Sequence, residues 1–182
     1  MRPTEALMDD HVAIKRVLKA LSIAADRVDA GQKADVDVFA KSVDFVVNYA
    51  DKCHHGKEES ALFPLLEAYG LPREAGPVGV MLMEHEQGRK YIGSLAKAIE
   101  RFRAGDASAS KEIASSARGY VTTMYNHILK EEDILFQMAD GMMTEEDGTA
   151  LLEQFEEIEQ KTTAPGAHER YLQLVDEIEA EA

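Results

Sequence analysis

The chain has 182 residues, enough for one sizeable core and too few to demand a second. Its 34 acidic and 20 basic side chains leave a formal charge of -14, which argues against nucleic acid or an anionic membrane surface as partner. No apolar run approaches the roughly 20 residues that span a bilayer, the start MRPTEALMDDH has no apolar signal core, and the single Cys53 cannot close an internal disulfide, so a cytoplasmic protein is expected.

Helical patterns dominate from end to end. The first runs from about Thr4 to Val28 and stops at Asp29-Ala-Gly31. A second starts near Asp35, a candidate N-cap, and continues to about Ala68, with Pro64 expected to kink its last turns. The third begins near Pro77 or Val78 and reaches Ala104, where Gly105 suits a C-terminal cap. A fourth runs from about Ser108 to Ala139 and ends at Asp140-Gly141. Two shorter helices follow, Thr144 to about Lys161 and Ala167 to about Ala180, separated by Ala164-Pro-Gly166; Thr144-Glu-Glu-Asp147 has the form of a capping box with Asp in place of Glu. Four long helices with short joins predict an all-α fold, an antiparallel up-down-up-down four-helix bundle over residues 1–141. The two extra C-terminal helices, 142–182, are expected to pack on its outside.

Of the six histidines, four fall in apolar stripes, one per long helix. His11 fills the gap between Leu7 and Ile14. His54 and Glu58 continue the line Val43, Val47, Ala50 toward Ala61 and Leu65. His85 lies between Met81 and Gly88, and His127 and Glu131 between Met124 and Leu135. The adjacent pair, His55 and Glu59, shares the same i, i+4 spacing, but the face of His55 traced backward meets Asn48, Asp51 and Lys52, which belong in water. An internal repeat also favours His54: HHGKEESALF (54–63) aligns with HILKEEDILF (127–136), matching His54 to His127 and Glu58 to Glu131, while His55 falls opposite Ile128. A face shifted by one residue stays open.

In an antiparallel arrangement all six side chains fall in one layer. His11 and His85 sit about two turns inside the starts of their helices, and the other four lie near the ends of theirs. Burying two carboxylates and four imidazoles without a partner costs several kcal/mol per charge, and a metal pair would offset it. Imidazole and carboxylate donors suit iron, manganese or zinc, and the absence of thiolate ligands argues against an iron–sulfur cluster.

His11, His54-x-x-x-Glu58, His85 and His127-x-x-x-Glu131, with LFP or LF after the glutamates, resemble the hemerythrin-like (HHE cation-binding) domain over residues 4–139. The resemblance implies a bundle holding two iron ions in an oxo- or hydroxo-bridged centre, with His11, His54, His85 and His127 as terminal ligands and Glu58 and Glu131 as bridges. It implies binding of oxygen, nitric oxide or peroxide for sensing or stress protection. An enzyme turning over peroxide or nitric oxide, or aiding iron–sulfur repair, is the alternative, and a metal-stabilised interaction module a third. Oxygen carriers of the family have His-x-x-x-His on the third helix, where this chain has Arg89 four residues after His85. A fifth histidine is therefore expected to be missing, and a carrier role disfavoured. Those carriers place the fourth-helix carboxylate five residues after its histidine, here Glu132, against which the internal repeat favours Glu131. Gly88 suits either space for a ligand or close helix packing. Tyr120 and the methionines read as core, His168 as a surface or packing residue, and Glu153 to Glu159 as a solvated face.

Overall fold

The computed structural model describes residues 1–162 and 166–182, which form six helices and, among the described residues, no strand. Helix α1 is Pro3–Asp29; α2 covers 36–68; α3 is Gly76–Arg103; α4 covers 109–142; α5 is Glu145–Thr162; α6 is Ala167–Glu181. The all-α expectation holds. Helix α4 runs past its expected stop at Asp140-Gly141, carrying Gly141 within its last turn. Of the Ala164-Pro-Gly166 break, Ala164 and Pro165 lie outside the described residues, and Gly166 precedes α6 with φ 76°.

Local chemistry sets the helix ends. The Asp35 carboxylate accepts from the Asp37 N–H, an orphan donor of the first turn. Gly105 follows α3 at φ 101°, a conformation that a residue with a Cβ adopts only under strain. The capping box before α5 forms with Asp as predicted: the Thr144 N–H donates to Asp147 at 2.9 Å and the Asp147 N–H to Thr144 Oγ1 at 3.2 Å.

Two apolar cores form, one at each end of the long helices. The larger joins Ile14, Leu18 and Leu21 of α1 to Phe39 and Phe45 of α2, Leu95 and Ile99 of α3, and Ile113 of α4. The smaller joins Leu7, Leu62, Phe63, Leu66, Met81, Leu135 and Phe136. By residue number, α1 and α3 run from the small core to the large one, and α2 and α4 run the opposite way. Neighbouring contacts close a ring, α1 on α4, α4 on α3, α3 on α2, and α2 on α1. Helix α5 lies against α1 and α2 and adds Leu151 and Phe155 to the small core; α6 lies against the same pair and adds Tyr171, Val175 and Ile178 to the large one.

Two of the long helices depart from α geometry at equivalent depth. Helix α2 is π-helical over Val46–His55 and Glu58–Leu62, and α4 over Glu131–Leu135. Pro64 has no N–H to donate, and its ring would crowd the Ser60 carbonyl in a regular turn. The irregularity expected there takes the form of the wider turns just before it, with α geometry resuming at Phe63. Among the described residues no helix is long and apolar enough to cross a membrane.

Candidate metal centre

Between the two cores lies a buried polar layer built from His11, His54, His55, Glu58, His85, His127 and Glu131, none more than 5% exposed. They form two donor sets. In one, His11, His54, Glu58 and Glu131 each offer an atom within 4.8 Å of the others; in the second, His55, Glu58, His85 and His127 do the same. The glutamates reach across both. Glu58 Oε1 lies 3.7 Å from His54 Nε2 and Oε2 lies 3.4 Å from His85 Nε2. Glu131 Oε2 lies 3.2 Å from His11 Nε2 and Oε1 lies 3.0 Å from His127 Nε2.

Every imidazole of the layer turns its Nδ1 outward to a carboxylate. His11 meets Glu132 at 2.9 Å, His54 meets Asp10 at 3.3 Å, His55 meets Asp51 at 3.2 Å, His85 meets Glu59 at 2.6 Å and His127 meets Glu84 at 3.1 Å. A carboxylate on Nδ1 fixes its proton there, which leaves Nε2 as a bare donor toward the centre. The carboxylates are themselves held: Lys57 donates to Asp10, Lys130 to Glu84, Lys15 to Glu132, and Arg89 to both Asp51 and Glu59.

The layer repeats itself. Asp10-His11 corresponds to Glu84-His85, Lys15 to Arg89, and His54-Lys57-Glu58-Glu59 to His127-Lys130-Glu131-Glu132. Phe136 stacks on His11 at 5.7 Å as Phe63 stacks on His85 at 5.9 Å. His55 breaks the repeat, because its counterpart is Ile128.

Two features test whether metal fits. The Nε2 atoms of His11 and His54 lie 3.1 Å apart, as do those of His85 and His127; two ligands at right angles on a metal with bonds of about 2.1 Å lie about 3.0 Å apart. All four oxygens of Glu58 and Glu131 are buried without a hydrogen-bond partner, although imidazole nitrogens approach them. Buried carboxylates in that condition call for a cation. The titration pattern agrees with a set short of positive charge. Burial, and then Glu131, drives the Glu58 carboxyl up to about 8. Burial opposes the charge on Glu131 too, but His127 and His11 hold its carboxyl well below the usual range. Burial lowers His11 and His127, yet the neighbouring carboxylates outweigh it and carry them to about 9 and about 10. The donor spacing and the buried carboxylates fit a metal pair.

All six side chains predicted from the sequence come together in this layer, and a seventh joins them. The expectation that His55 faces water is corrected: it is 5% exposed and stacks on His85 at a centroid distance of 3.8 Å. The reason is the π-helical stretch ending at His55, whose wider turn brings two consecutive side chains inward where a regular helix would bury one. Arg89 stands on α3 where a fifth histidine was expected to be missing, and His55 of α2 brings a fifth imidazole to the layer from another helix. Glu131, not Glu132, lies at the centre; Glu132 holds His11 from outside. His168 is half-exposed near Glu159, away from the layer, and Cys53 is buried beside it.

A family description, the hemerythrin HHE cation binding domain, matches residues 2–139. Among curated proteins, an uncharacterized protein of Mycobacterium tuberculosis is 22% identical over 175 residues, covering 96% of this chain and 68% of that protein. An uncharacterized protein of Mycobacterium bovis matches to the same extent. No solved structure matches the chain at a significant level.

Proposed function

The chain belongs to the hemerythrin HHE cation binding domain family, and from that premise we propose that it is a non-heme di-iron protein binding oxygen, nitric oxide or peroxide for sensing or stress protection in the cytoplasm. Residues 1–141 are read as an antiparallel up-down-up-down four-helix bundle and 142–182 as its extension. The closed ring of helix contacts and the alternating course between two cores support that reading.

One observation carries the functional reading. Glu58 and Glu131 each offer one oxygen to imidazoles of one donor set and the second oxygen to imidazoles of the other. Such carboxylates suit two adjacent ions. His11 and His54 would hold one and His55, His85 and His127 the other, with Glu58 and Glu131 between them. A bound iron pair supplies redox capacity and a place for a small oxygen or nitrogen ligand; manganese and zinc suit the same donors, and zinc brings no redox chemistry.

The chain's own groups set the conditions. Outer carboxylates keep each imidazole in the tautomer that leaves Nε2 free. Phe63 and Phe136 lie over His85 and His11, and the apolar cores above and below keep bulk water out. The His11 and His54 side would hold its ion with two imidazoles against three on the other side. Five imidazoles also remove the ground on which Arg89 set this chain apart from oxygen carriers, so reversible oxygen binding belongs among the activities to assay.

Metal analysis with an absorption spectrum of aerobically purified protein, then of reduced protein mixed with oxygen or nitric oxide, tests the proposal. Two donor sets predict about two iron ions per chain and near-ultraviolet bands of a bridged pair. Metal content below one per chain after reconstitution would overturn it.

A further inference from the structure

A cavity of about 220 Å³ lies between α2 and α3 and ends against the imidazoles of His55 and His85. Its rim is half-exposed at Val43, Val47 and Ala96, and its inner wall is buried at Val46, Gly88 and Tyr120. Gly88 lines it, and a Cβ there would come within 3.0 Å of Met124 Cε and 3.4 Å of the Tyr120 ring. Tyr120 is 2% exposed and its hydroxyl has no hydrogen-bond partner. A buried hydroxyl left unpaired costs about 1–3 kcal/mol, which a hydrogen-bond acceptor beside it would offset. Asp51, the charge that bears on the phenol, stands in the same wall.

The other polar groups of the wall are already engaged. Arg89 donates to Asp51, Glu59 and Glu86 at 2.8–2.9 Å, and the Nδ1 atoms of His55 and His85 face Asp51 and Glu59. No cationic group is left to receive an anion, and the paired charges at the rim offer little to a cation. At about 220 Å³ it has room for more than a diatomic, since a dry cavity of about 150 Å³ already accepts benzene.

We propose that this cavity binds a small uncharged organic molecule of about six to eight heavy atoms, apolar apart from one acceptor to which the Tyr120 hydroxyl donates. The site goes beyond the metal reading and stands whichever metal the layer holds. Its occupant lies against the outer side of His55 and His85, so binding there is felt by the donor set that contains them.

Cyclohexanone is a suitable probe, titrated into metal-loaded protein by calorimetry and ligand-observed NMR. Saturable binding is expected in the native chain, weakened about ten-fold in Tyr120→Phe, which keeps the shape and removes the donor. Ala96→Phe, at the half-exposed rim, should abolish binding while helicity and metal content stay native. No saturable binding by the native protein would overturn the proposal, as would equal affinity in all three proteins. Loss of metal in Tyr120→Phe without change in cyclohexanone affinity would also overturn it, and would leave the metal reading untouched.

Discussion

The Nε2 atoms of His85 and His127 stand 3.1 Å apart, each with its Nδ1 committed to a carboxylate. Two bare lone pairs repel at that separation, so the pair needs a shared proton or a metal ion that both nitrogens face. The same relationship joins His11 to His54.

The fifth imidazole gives the most direct test. His55→Leu removes a donor from the three-histidine set and leaves the other untouched. One of two ions should bind at least about 10–100-fold more weakly, the second within a few-fold of native. His168→Ala is the control. Chelator competition on the two variants checks this, and an unchanged affinity in His55→Leu would show that His55 only packs against His85.

Replacing a bridging carboxylate should act in opposite directions on the two forms of the protein. Glu58→Gln keeps the shape and removes an ionisable carboxyl that is buried without a hydrogen-bond partner. The metal-free variant should melt higher than native, by about 5 °C, because burying that group costs several kcal/mol if ionised and forces a raised carboxyl titration if not. The loaded variant should melt lower by a similar amount. A shift of the same sign in both forms, read by thermal scans with and without chelator, would contradict the bridging role.

The sequence stripes disclosed the helices and six of the seven central side chains, because apolar spacing and an internal repeat are both local signals; the division of the apolar residues into two cores was not legible there. His55 escaped because a helical wheel assumes one angle per residue, and Val46–His55 does not keep it. Its trace in the sequence is the histidine doublet itself, standing where the repeat has His127 followed by Ile128. The repeat also reached further than the motif used to find it: Asp10 and Glu84, which hold His54 and His127, sit one residue before His11 and His85 and were not singled out. Their role depends on contacts between helices, which spacing along one helix does not reveal.

Arg89 should matter to the metal although it lies outside the layer. It holds Asp51 and Glu59, which in turn hold His55 and His85. Arg89→Ala is expected to weaken metal binding on that side about 10–100-fold, whereas Lys15→Ala, which frees Glu132 behind His11, should affect the opposite side. Arg89→Lys should restore only part of the loss, since one ammonium cannot make the forked contacts of a guanidinium. Equal effects of Arg89→Ala on both ions would rule out a side-specific role.

Metal removal should destabilise the fold as a whole. A ligand present at 100 times its Kd contributes about 2.7 kcal/mol, which for a chain of this size corresponds to about 5–10 °C in melting temperature. A chelator should lower the melting point by at least that much, and restored iron should recover it. No shift on removal would mean that the layer is held by its protons alone.

The doubled arrangement of the layer has a consequence for its reactivity. Helices α1 and α2 make one hairpin carrying Asp10, His11, His54 and Glu58; α3 and α4 make another carrying Glu84, His85, His127 and Glu131. Two copies of a single hairpin, paired about a dyad, would assemble the same ring of donors, so the centre has the form of a dimer written into one chain. A true dimer would be bound to keep its two donor sets alike. A single chain carries no such constraint, and one difference, Ile128 against His55, is enough to make the two donor sets chemically unequal.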